Sequence, residues 1–121
     1  MYKKSSGLEL KARMFRGFAD PTRLSILESL RGGEKTVGAI VAATRQSQSN
    51  VSNHLSCLRE CGLVMSRRDG KSIYYSIANE RIRSLLIKGD EVIEEVGKGG
   101  LNPTYVTDRV IRRRISGERG D

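Results

Sequence analysis

The stretch "SQSNVSNHLSCLRECGLV", residues 47–64, decides how the rest of the chain is read. On a helical wheel at about 100° per residue, Val51, Leu55 and Leu58 fall on one stripe, as in a helix packed against a core. Ser47 is the natural N-cap and Gly62 the natural stop. Gln48, Ser49, Ser52 and Asn53, with His54 at one edge, lie outside the stripe in the first two turns. A merely solvated face would more usually carry Lys and Glu. Amides and hydroxyls are instead suited to base edges in a major groove, and a helix N-terminus favours phosphate. The same helix holds two cysteines near its far end.

On the N-terminal side three more helices are expected. "LELKARMFRGFA" (8–19) sets Leu8, Ala12, Phe15, Phe18 and Ala19 at helical spacing. In "ADPTRLSILESLRGG" (19–33) Asp20 is an N-cap and Pro21 takes the first helical position. Leu24, Leu27 and Leu30 line one face there, and Gly32–Gly33 stop the helix. Thr36 can cap "VGAIVAAT", with Val37, Ile40 and Val41 facing inward, and the short turn "RQSQ" then leads into the opening stretch. Beyond Gly62 the period changes. "LVMSRR" and "KSIYYSI" read as strands joined by Asp69–Gly70, a strong hairpin signal. Ile73, Tyr75 and Ile77 alternate with Ser72, Tyr74 and Ser76, as in a strand with one wet face. A last helix over about 79–96 is broken by "GKGGLNP" (97–103), and residues 104–121 carry the run "RVIRRR".

Two short helices joined by a tight turn and followed by a hairpin make a winged helix-turn-helix, mainly α with a small β-hairpin. The expected organisation is a DNA-binding and dimerisation domain over 8–96 with a basic C-terminal tail over 97–121. Arg67, Arg68 and Lys71 flank the hairpin turn. They suit phosphate or minor-groove contact; the alternative is a charged edge that discourages strand addition. Beside a reading helix, phosphate is the favoured reading, and Arg45 in the preceding turn is a candidate of the same kind.

Composition agrees. The chain has 121 residues, 37% of them hydrophobic, and a net charge of +8 from 22 Lys+Arg against 14 Asp+Glu. That balance points to a polyanionic partner, with solubility charge as the plainer alternative. A core this small leaves the apolar faces of the first and last helices unpartnered. Pairing them across a two-fold axis makes a homodimer, with two reading helices ~34 Å apart on an inverted repeat of double-stranded DNA. No apolar run approaches the ~18–20 residues of a membrane span, and the N-terminus lacks a signal-peptide core. A cytoplasmic protein with reduced thiols is therefore expected. One histidine, no Ser-His-acid pattern and no phosphate-binding glycine loop argue against an enzyme.

Cys57 and Cys61 lie about 120° and 80° from the core centre of the wheel. Four residues apart on a helix, their Cβ atoms stand ~5–6 Å from each other. That is too far for an unstrained disulfide, and it suits two thiolates converging on one soft metal ion. Spacing alone leaves two incidental thiols equally open. His54 is near Cys57 but about 10 Å along the axis from Cys61. The partner's cysteines lie ~34 Å off. Further ligands must come from another segment, such as an Asp, Glu or backbone oxygen of the partner's tail, or from water.

"FADPTRLSILESL", "SQSNVSNHLSCLRECGLV" and "RRDGKSIYYSI", three motifs in order within about 8–96, resemble the ArsR/SmtB family of bacterial metal-sensing repressors. The resemblance implies a homodimeric winged helix that represses an operator and leaves it when an effector binds. Two of the family's effector sites have no counterpart: "EKTVGAIVAAT" (34–44) contains no cysteine, and 79–96 contains no histidine. What remains resembles a cadmium/lead-sensing subclass with a near-identical "NVSNHLSCLR-CGLV", whose paired cysteines map onto Cys57 and Cys61. The implied effector is a soft divalent ion, Cd or Pb, with Zn admissible. In that subclass a third cysteine comes from the other subunit's tail, whereas the only cysteines here are these two. Two rivals stay open: a repressor of the same fold whose cysteines sense oxidants or persulfide, and a basic module that binds DNA without sequence preference.

Overall fold

Capping side chains set the helix starts in the computed structural model, which describes residues 6–99. The elements are α1 (Gly7–Ala19), α2 (Pro21–Ser29), β1 (Lys35–Thr36), α3 (Val37–Thr44), α4 (Gln48–Glu60), β2 (Val64–Asp69), β3 (Ser72–Ile77) and α5 (Glu80–Gly99). Ser6 and Glu9 form a reciprocal capping box on α1: the Ser6 hydroxyl accepts from the Glu9 amide at 3.1 Å, and the Glu9 carboxylate accepts from the Ser6 amide at 3.0 Å. Asp20, Thr36 and Ser47 cap α2, α3 and α4 as expected, accepting from the amides of Arg23, Ala39 and Asn50. Asn79 does the same for α5 through the Ile82 amide.

The described residues fall into two compact units, one running to Ile82 and one comprising the rest of α5. In the first, Val51, Leu55 and Leu58 of α4 are buried, as the wheel predicts. They belong to a core that also holds Ile26, Leu27, Leu30, Ile40, Leu63, Val64 and Ile77. On α2 the buried face is rotated from the expected one. Ile26 joins Leu27 and Leu30, and Leu24 is only half-buried, because α2 packs against both α3 and α4 and presents a broader face than one stripe.

The hairpin forms, with three corrections. The sheet has three strands in the order β1-β3-β2, all antiparallel, because Lys35 and Thr36 pair with Tyr75 and Tyr74. A two-residue strand has no periodicity by which to be seen. The turn is also one residue later than expected: Asp69 pairs with Ser72, leaving Gly70–Lys71 as the loop. Only Gly70 is left-handed, at φ +64°, the pattern of a type II′ turn with glycine in first place; an Asp-Gly turn of type I′ would need two such residues. The wet-face alternation fails at Ile73, which is exposed opposite Arg68 near the tip, whereas Ile77 at the base is buried.

Helix α5 runs on to Gly99, past the break expected at 97. Glycine lowers helix propensity by ~1 kcal/mol but keeps its N–H, so it weakens a helix without blocking it as proline does. The greater part of the expected tail, residues 100–121, lies outside the described residues. Among the described residues, no helix is long and apolar enough to cross a membrane. Of the expected apolar face of α1, Leu8 and Phe15 are at half exposure or more and Phe18 is half-buried; Leu10, off that face, is exposed too, and α5 exposes Leu85, Ile87 and Val92. Gly17 is the buried residue of α1, and a Cβ there would stand 2.6 Å from Leu63 Cδ1.

Candidate nucleic-acid interface and thiol pair

The turn between α3 and α4 is closed by Arg45, whose amide bonds the Val41 carbonyl at 2.8 Å with the backbone left-handed at φ 60°, ψ 26°. Nothing in the sequence signals this, since arginine is not a residue that seeks that region. Gln46 and Asn50, also unremarked in the sequence, brace the start of α4: the Asn50 amide group donates to Gln46 Oε1 at 2.8 Å. Gln48, Ser49, Ser52 and Asn53 are all exposed, outside the buried stripe of α4. His54 stands apart from this row. It is half-buried, with Nε2 4.0 Å from Asp20 Oδ2. The Asp20 carboxyl is held below its ordinary pKa chiefly by the Arg23 amide, with attraction to His54 a smaller cause.

On the wing, Arg68 and Lys71 are exposed. Arg67 is engaged otherwise. Its Nε donates to Glu34 Oε1 at 2.9 Å and its Nη2 to Glu34 Oε2, while Asp69 lies at 3.7 Å. The guanidinium also covers the Tyr74 ring at 4.9 Å. The hydrogen bond from Arg67 lowers the Glu34 carboxyl pKa, and the same bond raises that of Arg67. Glu34, in the loop before β1, was invisible as a partner because it lies 33 residues away in the chain.

Cys57 is exposed in the last turn of α4, and Cys61 is exposed at its C-cap. The Cys61 amide bonds the Cys57 carbonyl at 3.0 Å, the Gly62 amide that of Arg59 at 3.0 Å, and the Leu63 amide that of Leu58 at 2.9 Å. With Gly62 at φ +79°, these bonds make a Schellman motif. It sends Leu63 into the core and leaves both thiols outside it. Among the described residues, no group of three or more His, Cys, Asp or Glu converges to hold an ion. The two thiols thus have no third donor beside them among the described residues. His54, on the Asp20 side, is not a third member.

A short helix pair, an exposed polar row on its second helix and a hairpin wing define a winged helix-turn-helix DNA-binding regulator. The chain belongs to the arsR family of bacterial regulatory proteins, whose model matches residues 20–66. This is a family of transcriptional regulators and not of enzymes, in line with the absence of a catalytic pattern in the sequence. The chain is 47% identical over 76 residues to a probable mercury resistance operon repressor of Streptomyces lividans, covering 63% of this chain and 61% of that protein. It is 44% identical over 75 residues to the regulator CmtR of Mycobacterium tuberculosis, covering 62% and 64%. The matches thus span less than two thirds of these relatives. Among solved structures, the homodimeric winged helix-turn-helix domain of Mb0332 from Mycobacterium bovis superposes with a TM-score of 0.72 at 33% identity, covering 84% of this chain and 98% of that one.

Proposed function

We propose that this chain is a cytoplasmic, homodimeric repressor. It reads an inverted repeat in double-stranded DNA through α4 and leaves it when Cys57 and Cys61 ligate a soft divalent cation, Cd(II) or Pb(II) foremost and Zn(II) next. One observation carries the reading: a single helix exposes an uncharged hydrogen-bonding row at its start and both of the chain's thiols at its end. Gln48, Ser49, Ser52 and Asn53 take base edges, with His54 bordering them. Arg45, Arg68 and Lys71 take phosphates, and so does Arg67 in the simplest version of this scheme. The exposed apolar residues of α1 and α5 support dimerisation, as does the homodimeric state of Mb0332. The mercury resistance operon repressor supports a thiophilic effector.

Cys57 and Cys61 would hold the soft cation, which would supply thiolate coordination in place of the thiol protons. Ligation there would bear on the Schellman end of α4, and the DNA-competent arrangement would lose population. A coupling of ~1–3 kcal/mol suffices for a useful switch. The test is operator binding by the purified dimer with and without Cd, Pb, Zn and arsenite, for wild type and for Cys57→Ser. Release of wild type by one ion, with the Ser variant bound to DNA but unresponsive, is the expected result. Normal release of the Ser variant would place the site elsewhere.

The exposure of both thiols also favours oxidant or persulfide sensing as a second reading. Absorbance separates the two: a thiolate-to-metal band on adding Cd(II) supports metal, and peroxide modification without such a band supports redox. Binding that is weak, steeply salt-dependent and indifferent to sequence would instead indicate a non-specific basic module.

A further inference from the structure

We infer that Arg67 is a positioning residue, latching the wing with Glu34, and that Arg68 and Lys71 are the cations the wing offers to phosphate. The inference rests on reading the hairpin as a DNA-contacting wing, and it removes Arg67 from the contacts of that reading. In the sheet order β1-β3-β2, Arg67 on β2 and Thr36 on β1 both pair with Tyr74 on the central strand. Glu34 precedes Thr36 by two residues and so emerges on the same face of the strand edge. The Arg67 side chain therefore spans the sheet, crossing the Tyr74 ring at 4.9 Å to fork onto the Glu34 carboxylate.

Each part of the guanidinium is engaged. The fork satisfies Nε and Nη2, Asp69 lies 3.7 Å from Nη1, and the ring face lies beneath. A forked Arg–carboxylate pair over an aromatic face is a geometry that lysine cannot reproduce. With two carboxylates beside it, Arg67 offers little net charge to a phosphate. The latch adds a direct link that the backbone lacks. β1 has two residues and pairs only with β3, so the ladder joins the edge strand β2 to the β1 side only through β3. The Arg67–Glu34 fork spans that gap directly. Both partners are partly exposed, 54% for Arg67 and 38% for Glu34, so the pair adds little to global stability and its effect belongs in wing orientation.

The test uses the full-length chain and a duplex isolated by the wild-type protein from a randomised library, with affinity measured across a salt series. Glu34→Gln removes a negative charge from each protomer, which simple electrostatics predicts will tighten binding; a positioning role predicts about fivefold weaker binding with an unchanged salt slope. Arg67→Glu weakens binding, and the swap Glu34→Arg with Arg67→Glu restores it to within about threefold. Tighter binding by Glu34→Gln overturns the inference. So does a swap no better than Arg67→Glu whose salt slope has dropped by about 0.9 per lost phosphate contact. Should the swap unfold, as judged by circular dichroism, Glu34→Gln alone decides. The wing reading fails separately: Arg68→Ala with Lys71→Ala would then change neither affinity nor slope.

Discussion

At Arg45 the backbone adopts what the side chain discourages. A left-handed residue with a Cβ costs ~1–2 kcal/mol, and glycine there would shed that strain while gaining entropy in the unfolded chain. Arg45→Gly should leave stability unchanged or raise it by up to ~1 kcal/mol, whereas Arg45→Val should lower it, both read from urea melts. If Arg45 meets phosphate, the glycine variant will nonetheless bind DNA less tightly. Asp20 supports a pH prediction. Its carboxyl pKa is depressed by the N-cap bond from Arg23, so its contribution is present above the ordinary carboxylate range and is lost as pH falls through the lower folded value. Asp20→Asn, still a good cap, should flatten that acid-side loss in a thermal melt series. The sequence alone showed Asp20 as a cap and the thiols as off-core, because both follow from local period. It could not show that His54 turns toward Asp20 or that Arg67 forks onto Glu34, since those partners are set by tertiary packing.

At the scale of elements, helix α4 was legible from end to end: the cap at Ser47, the stripe at 51, 55 and 58, and the stop at Gly62 are all local signals. Strand β1, the later turn and the overrun of α5 were not. Two-residue pairing, choice of turn type and tolerance of glycine each depend on neighbours that periodicity does not report. The junction behind α4 makes its own prediction. Leu63, placed by the Schellman motif, fills the space where a side chain at position 17 would go. Gly17→Ala gains ~1 kcal/mol of helix propensity but must displace the buried Leu63 methyl. Its net destabilisation should stay below ~2 kcal/mol, whereas Leu58→Ala should cost ~2–5 kcal/mol through a cavity beneath α4. Urea midpoints at constant m-value would check both.

For the whole molecule, the exposed apolar residues are the test of assembly. Leu8 is 78% exposed and Phe15 50%, more than a lone small domain gains by leaving bare. Phe15→Glu should shift sedimentation from dimer to monomer and remove the concentration dependence of the melting temperature. On the proposed inverted repeat, operator affinity should fall with it, because each half-site would be held alone.

The two thiols stand outside the core, on a helix end whose hydrogen bonds are made by backbone amides and not by sulfur. Neither cysteine carries packing, so replacing them costs the fold almost nothing. With Cys57 and Cys61 as the proposed inducer ligands, such a scaffold could exchange one inducer for another by point substitution at these two positions while the polar row at the start of α4 stays unchanged.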